Sequence, residues 1–431
     1  MSSPLLDTVR RHKAGEPVGV YSVCSAHPLV LEAAVLQTLE DAGYLLVEAT
    51  SNQVDQFGGY TGMTPVDFRD LVLGIAERYG LPEDRVVLGG DHLGPNRWQK
   101  RPAGEAMSLA EDLVEAYVTA GFSKIHLDCS MPCADDPSPP GDDLVAERAA
   151  RLAQRAEEAA VRTGSEPLYV VGTEVPTPGG AHEALGTLAP TPAGAARATL
   201  ERHEQAFADA GIGEAWERVI ALVVQPGVEF DNLHVVDYDR AATGDLRRVL
   251  DEHQHFIFEA HSSDYQTPAN LRSLVQDHWA VLKVGPGLTF AMREALYALA
   301  AIEDDLVPVG KRSELPSVVE RRMLAEPGEW KKYYAGDPDT QRLLRRYSYS
   351  DRVRYYWPDP EIQAAQETLL SNLADRDIPP PLLSQHLPDQ YARVRKGGLS
   401  VEPLDLILDR VRDVLRAYSL ACSPTLTEDN P

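Results

Sequence analysis

Apolar and polar positions along this chain fall into a repeating order. A short β-rich apolar run ends in polar residues, and a longer stretch with helical spacing follows. The runs cover 19–26, 45–51, 86–92, 124–130, 168–174, 219–226, 255–262 and 280–289. Between them the spacing predicts helices over 29–42, 65–79, 108–120, 142–163, 191–210 and 268–276. Pro65 and Pro268 fall in first helical turns, and Gly43, Gly80, Gly121 and Gly211 stand just past helix ends, the positions these residues favour. Strand–helix alternation of this kind builds a parallel sheet. Eight units in about 270 residues have the size of a closed (β/α)8 barrel. The competing architecture, an open doubly wound sheet, would scatter the polar strand ends along a crevice.

After residue 305 the strand-like runs stop. Helical patterns over 315–324, 338–346, 360–373, 388–395 and 403–418 are separated by prolines. We therefore expect a barrel over 1–305 and a helical extension over 306–422, packed on the barrel or on a second subunit. A disordered polar tail over 423–431 follows.

The chemistry lies at the strand ends. In a barrel, alternate strand residues point inward, and those at the C-terminal mouth form the active site. Polar groups there are costly unless they face a site. Strand two puts Glu48, Thr50 and Asn52 on one side, and strand three ends in Gly89-Gly90-Asp91-His92. Strand four aligns His126 with Asp128, and strand five carries Glu174. Strand six ends at Gln225, strand seven at His261 on the side of Glu259, and strand eight at Lys283 before Gly285. Strand one leads into Ser25 and His27.

Composition narrows the chemistry. A net charge of −25 and a pI near 4.8 exclude nucleic acid and an anionic membrane as partners. A small anionic substrate stays compatible, because local cations can hold it. Four cysteines are too few for a disulfide framework, and no run reaches ~20 apolar residues. Both point to a cytoplasmic protein. No Gly-x-Gly-x-x-Gly follows a strand, so no NAD is expected, and there is neither a P-loop nor a serine elbow. Lys283 as a Schiff base would need a desolvated neutral amine, which neighbouring carboxylates oppose. Metal-assisted carbonyl chemistry is left. His92 and His261 with one or two oxygen donors suit a divalent metal, zinc first, with Mn, Ni, Co or Mg as alternatives. Asp91 and Glu174 are then the catalytic proton carriers.

Five segments carry a family resemblance: SVCSAHP (22–28), EATSNQ (48–53), QFGGYTGMTP (56–65), GGDHLGPNRW (89–98) and SYSDRVRYYW (348–357). The chain resembles the GatZ/KbaZ family over nearly its whole length. Members are usually named as the non-catalytic subunit of class II tagatose-bisphosphate aldolase. Some members, and the related tagaturonate epimerases, are instead metal-dependent C4 epimerases of ketohexoses, their 6-phosphates or uronates. The wider class II aldolases use a strand-end Asp-His pair, with Asp as proton carrier and His on zinc, plus two further histidines.

The resemblance implies that Asp91, His92 and His261 take those roles, with Gln225 standing where the remaining histidine is expected. An amide carbonyl binds metal more weakly than imidazole, and Asp128 is the substitute. The implied reaction removes the C4 hydroxyl proton through Asp91, breaks C3–C4, and rebonds with Glu174 acting on the opposite face. Substrate contacts are expected from Ser25, His27, Glu48, Asn52, Asn96, Arg97, Asp128, Asp264, Lys283 and Gly285. A phosphate would sit on backbone N–H groups around Gly285–Gly287 at a helix start, near Arg97, Arg352 or Arg354. Expected partners are a ketohexose or its phosphate, a second copy of the chain, or an aldolase subunit.

Overall fold

The computed structural model describes residues 3–172, 188–253, 255–374 and 376–423. Eight parallel strands close into a barrel in which each pairs with its chain neighbours: β1 (Val20–Val23), β2 (Leu45–Thr50), β3 (Val86–Leu93), β4 (Lys124–Leu127), β5 (Leu168–Gly172), β6 (Val219–Val223), β7 (Ile257–Ala260) and β8 (Trp279–Val284). They read as continuous apolar runs because both faces are covered, by helices outside and side chains inside. The outer helices are α2 (Pro28–Asp41), α3 (Pro65–Tyr79), α4 (Ala103–Thr119), α5 (Asp142–Thr163), α6 (Ala193–Asp209), α7 (Pro268–Gln276) and α8 (Pro286–Leu306). Thr64 opens α3 with a capping box shared with Asp67, and Gly80 ends it in a left-handed turn.

Three features depart from the sequence pattern. The eighth run does not continue to 289, because Pro286 starts α8, where a missing N–H costs nothing. Between β6 and β7, a two-stranded hairpin (Glu229–Phe230 with Val235–Val236) and two short helical turns take the place of one long helix. An unforeseen helix, α1 (Pro4–Lys13), closes the bottom of the barrel. Its Leu5 and Val9 join Val20, Leu46, Val87, Leu168 and Ile220 in a cluster of their own. The short, charged sequence of α1 hides this face, which only the barrel floor makes useful.

The C-terminal region is helical as expected, with α9 (Leu315–Ala325), α10 (Pro338–Tyr347), α11 (Pro360–Ala374), α12 (Pro380–His386), α13 (Pro388–Arg395) and α14 (Pro403–Cys422). It folds back on the barrel. Helix α14 packs against α2, α7 and α8, the Gly19 N–H donates to the Cys422 carbonyl at 2.9 Å, and Tyr418 meets Ser263 at 3.2 Å. The buried Arg293 of α8 pairs with Asp351 at 2.8 Å, fixing segment 348–357 over the mouth. The expected tail lies outside the described residues from 424 onward. No helix among the described residues is long and apolar enough to cross a membrane.

Candidate active site

The mouth is shaped by small residues on β3. A Cβ at Gly89 would lie 2.6 Å from the Glu48 side chain, and one at Gly94 would lie 1.7 Å from the Asp128 carbonyl oxygen. Glycine at these two places lets β2 and β4 deliver their polar ends beside β3. The β3–β4 pairing slips between Gly90 and Leu93, and His92 takes a left-handed φ of 50°. Ser262, next to His261, does the same at 51°. A non-glycine residue held there is strained, and such strain collects where side chains must be aimed.

Three imidazoles meet at this point. The rings of His92, His126 and His261 lie 4.8–5.3 Å apart, centre to centre. With Asp91, they offer ligand atoms all within 4.8 Å of one another. The other nitrogen of each ring is tied to an oxygen. His92 Nδ1 donates to Asp128 Oδ2 at 2.7 Å, His126 Nε2 donates to the Gly172 carbonyl at 2.9 Å, and His261 Nε2 donates to Glu259 Oε1 at 3.1 Å. Oxygen-held histidines of this kind are the usual supports of a metal centre, because the bond fixes tautomer and ring direction.

The donor set fits a divalent cation. A backbone carbonyl only accepts, so the His126 proton is on Nε2, and its Nδ1 accepts the His92 backbone N–H at 3.3 Å while lying 3.0 Å from Asp91 Oδ1. Two acceptors that close call for a proton or a cation between them. His92 gives the same indication: burial opposes its charge, yet Asp91 and Asp128 raise its pKa to about 9. His261 is pushed the other way, to about 3, mainly by burial. It stands in the cluster as a neutral imidazole, the form in which histidine binds a metal.

Below the imidazoles lies a buried layer of charge. Lys283 Nζ is 2.7 Å from Asp91 Oδ1 and 2.9 Å from Glu48 Oε2. Lys124 Nζ is 2.8 Å from Glu48 Oε1 and 2.7 Å from Glu259 Oε2. Burial works against the Asp91 carboxylate, but His92, Lys283 and His126 hold it well below the usual range. Burial also opposes the Lys283 ammonium, and Asp91 and Glu48 keep it protonated. An ammonium held by two carboxylates is the opposite of the neutral amine an imine needs, and at 2.7 Å Lys283 is the cation beside Asp91.

Above the cluster opens a cavity of about 810 Å³. Of the residues expected to meet substrate, Ser25, His27, Asn52, Asn96, Arg97, Asp128, Asp264, Lys283 and Gly285 line it, as do Asp91, His92 and His261. His27 caps α2 by accepting the Leu29 N–H and packs edge-on against Trp357. Arg97 is paired with Asp55 at 3.2 Å. Glu174 lies outside the described residues.

Four expectations need correction. Gln225 is not brought to the cluster; its Oε1 accepts the N–H groups of Gly227 and Val228 at 2.8 and 2.9 Å. Both lone pairs of the carbonyl expected on a metal are thus taken up by its own turn. Asp128 is not the substitute ligand: Oδ2 holds His92, and Oδ1 accepts from Ser130. Glu48 is fully buried beneath the cavity between two lysines, so it cannot touch substrate. The N–H groups of Gly285 and Gly287 both donate to Asp264 Oδ1, at 3.0 and 2.7 Å, so no phosphate finds them open.

Three residues with a part here had no assigned role: His126 and Glu259, read as inward-facing strand-end residues, and Lys124, which went unnoticed. The signal for them was alternation, since Lys124, His126 and Asp128 share the inward side of β4, and Glu259 shares that of His261.

The chain over residues 5–423 matches a family described as "D-tagatose-1,6-bisphosphate aldolase subunit GatZ/KbaZ-like". A crystal structure of a probable tagatose 6 phosphate kinase from Sinorhizobium meliloti 1021 is similar at 49% identity and a TM-score of 0.88, covering 94% of this chain and 100% of that one. The YdjI aldolase from Escherichia coli K12 has 11% identity and a TM-score of 0.42, covering 82% and 94% of the two chains. The Campylobacter jejuni fructose-bisphosphate aldolase has 12% and 0.47, covering 86% and 93%.

Proposed function

Since the chain belongs to the GatZ/KbaZ-like family, we propose that it is a metal-dependent 4-epimerase of a ketohexose or its 6-phosphate, interconverting tagatose and fructose forms. The observation that carries this reading is the Asp91 carboxylate, 2.7 Å from Lys283 Nζ and clustered with three oriented imidazoles, of which His92 and His261 line the cavity. His92, His126 and His261 would hold the divalent ion, zinc being the best match to an all-nitrogen set. When bound, the ion polarises the C2 carbonyl of the sugar.

Asp91 accepts the C4 hydroxyl proton as C3–C4 breaks, leaving a three-carbon enediolate and a three-carbon aldehyde. Lys283 steadies Asp91 through this transfer. The cavity walls keep the aldehyde in place, and it turns to present its other face. When C3–C4 re-forms, a second acid returns a proton to the new C4 alkoxide from the opposite side; Glu174 is assigned that role. No atom is gained and no oxidation state changes overall, so no nicotinamide is required. Release of the aldehyde instead would make the reaction an aldolase cleavage.

A kinase activity like that in the Sinorhizobium protein's name has no support in this sequence, which lacks a glycine-rich phosphate loop. A second reading is favoured by the family description itself: a subunit that stabilises an aldolase partner without turnover. Incubating the purified chain alone with a divalent metal and fructose, tagatose or their 6-phosphates separates the two. NMR should show the C4 epimer, and Asp91→Asn should lower its rate by ~10²–10⁴-fold while bound metal is kept. Neither epimer nor triose from a folded, metal-loaded chain would overturn the epimerase reading.

A further inference from the structure

The helical extension supplies part of the cavity wall, including Lys332, Arg352, Arg354 and Tyr355. The cations in this wall are not equivalent. Arg97 is paired with Asp55. Arg352 faces Glu329 at 3.8 Å and lies 3.6 Å from the centre of the Tyr333 ring. Arg354 has no carboxylate within ion-pair distance among the described residues. Its guanidinium donates to the Ser350 and Asp351 carbonyls and to the Tyr355 hydroxyl at 3.2 Å. No carboxylate is bonded to its guanidinium, although Asp351 and Asp264 lie near enough to act on its charge, in a chain whose overall charge is −25. Lys332, lying over the Tyr333 ring, likewise has no acidic partner within that distance among the described residues.

The alternative anion cradle is already filled. The first N–H groups of α8 are taken by Asp264 Oδ1, and a Cβ at Gly287 would lie 3.0 Å from that oxygen. An anion seeking the helix start would meet a carboxylate instead of N–H donors. We propose that the phosphate of a phosphorylated sugar is bound by Arg354, assisted by Lys332, on the helical extension, while Asp264 closes the start of α8 to it. The extension is then a specificity element: it reads the charged end of the substrate, and the barrel performs the chemistry. This deepens the epimerase reading by assigning the subsite for a 6-phosphate, and it stands or falls separately because binding requires no turnover.

The test is calorimetric titration of the full chain with inorganic phosphate, and of fructose 6-phosphate against fructose. The wild type should bind phosphate and prefer the phosphorylated sugar at least tenfold. Arg354→Gln should erase that preference, Arg354→Lys should restore part of it, and exposed Lys332→Gln should weaken phosphate about threefold, as expected for losing one exposed charge contact. Asp264→Asn should raise phosphate affinity by no more than about threefold, because it removes one negative charge near Arg354. Equal affinity of the wild type for both sugars would overturn the proposal while leaving a free-sugar epimerase intact. So would an Arg354→Gln variant with unaltered preference, or a tenfold gain in Asp264→Asn, which would place the anion at α8. Loss of epimerase activity with the phosphate preference intact would reject the reaction and keep the subsite.

Discussion

At the bottom of the barrel, His12 Nδ1 donates to the Val18 carbonyl at 2.7 Å, and its Nε2 accepts from His278 Nδ1 at 3.0 Å. At the mouth, His92, His126 and His261 are buried to a similar depth. The two groups differ in what surrounds them. Among the described residues, no carboxylate lies within ion-pair distance of His12 or His278. The mouth histidines are backed by Asp91, Asp128 and Glu259. Burial alone lowers the affinity of an imidazole for a positive charge, and the bottom pair shows that effect, with His278 pushed to about 4. At the mouth, carboxylates reverse it for His92. A buried histidine is therefore a structural plug or a candidate cation site according to whether a carboxylate stands beside it.

Perturbing each end should separate stability from metal binding. The largest effect is expected at the bottom. Leu5 is fully buried between α1 and the barrel floor, and Leu5→Ala should cost ~2–5 kcal/mol in urea or guanidinium unfolding, with metal content unchanged. At the mouth, Asp128→Asn leaves His92 without its carboxylate. Metal affinity in a competitive chelator titration should fall ~10–100-fold, with little change in the unfolding midpoint of the metal-free chain.

The smallest effect is on pH dependence. The folded pKa of His278 is depressed below its unfolded value of about 6.5, so the native state binds fewer protons there. The stability this pair supports is complete above pH 6.5 and is lost as pH falls towards 4. His278 has a φ of 79°, a conformation that asparagine tolerates. His278→Asn should therefore keep the turn and make the melting temperature about 1–3 °C less sensitive between pH 7 and 5. An unchanged pH profile would remove the bottom pair from the comparison.

The barrel was legible because its strands are apolar runs separated by helices with capping residues at their ends. Asp91, His92 and His261 were legible because charged residues closing an apolar strand have few other uses. Gln225 misled because strand position cannot reveal a side chain that folds back on its own turn. His126 was passed over because its strand offers Asp128 two residues later, and which one points at the cluster depends on the bulge in β3. Arg354 was legible only as one of three arginines near an expected phosphate, beside Arg97 and Arg352. It lies in sequence far from the barrel strands and reaches the mouth only because Arg293 and Asp351 fix its segment there.

The central claim is that His126, and not Gln225, completes a divalent-metal site with His92 and His261. Elemental analysis of the purified, metal-loaded chain beside His126→Ala and Gln225→Ala tests it directly. About one divalent ion per chain is expected in the wild type and in Gln225→Ala, as for a single three-histidine site, and almost none in folded His126→Ala. Full occupancy in His126→Ala, with loss in Gln225→Ala, would contradict it.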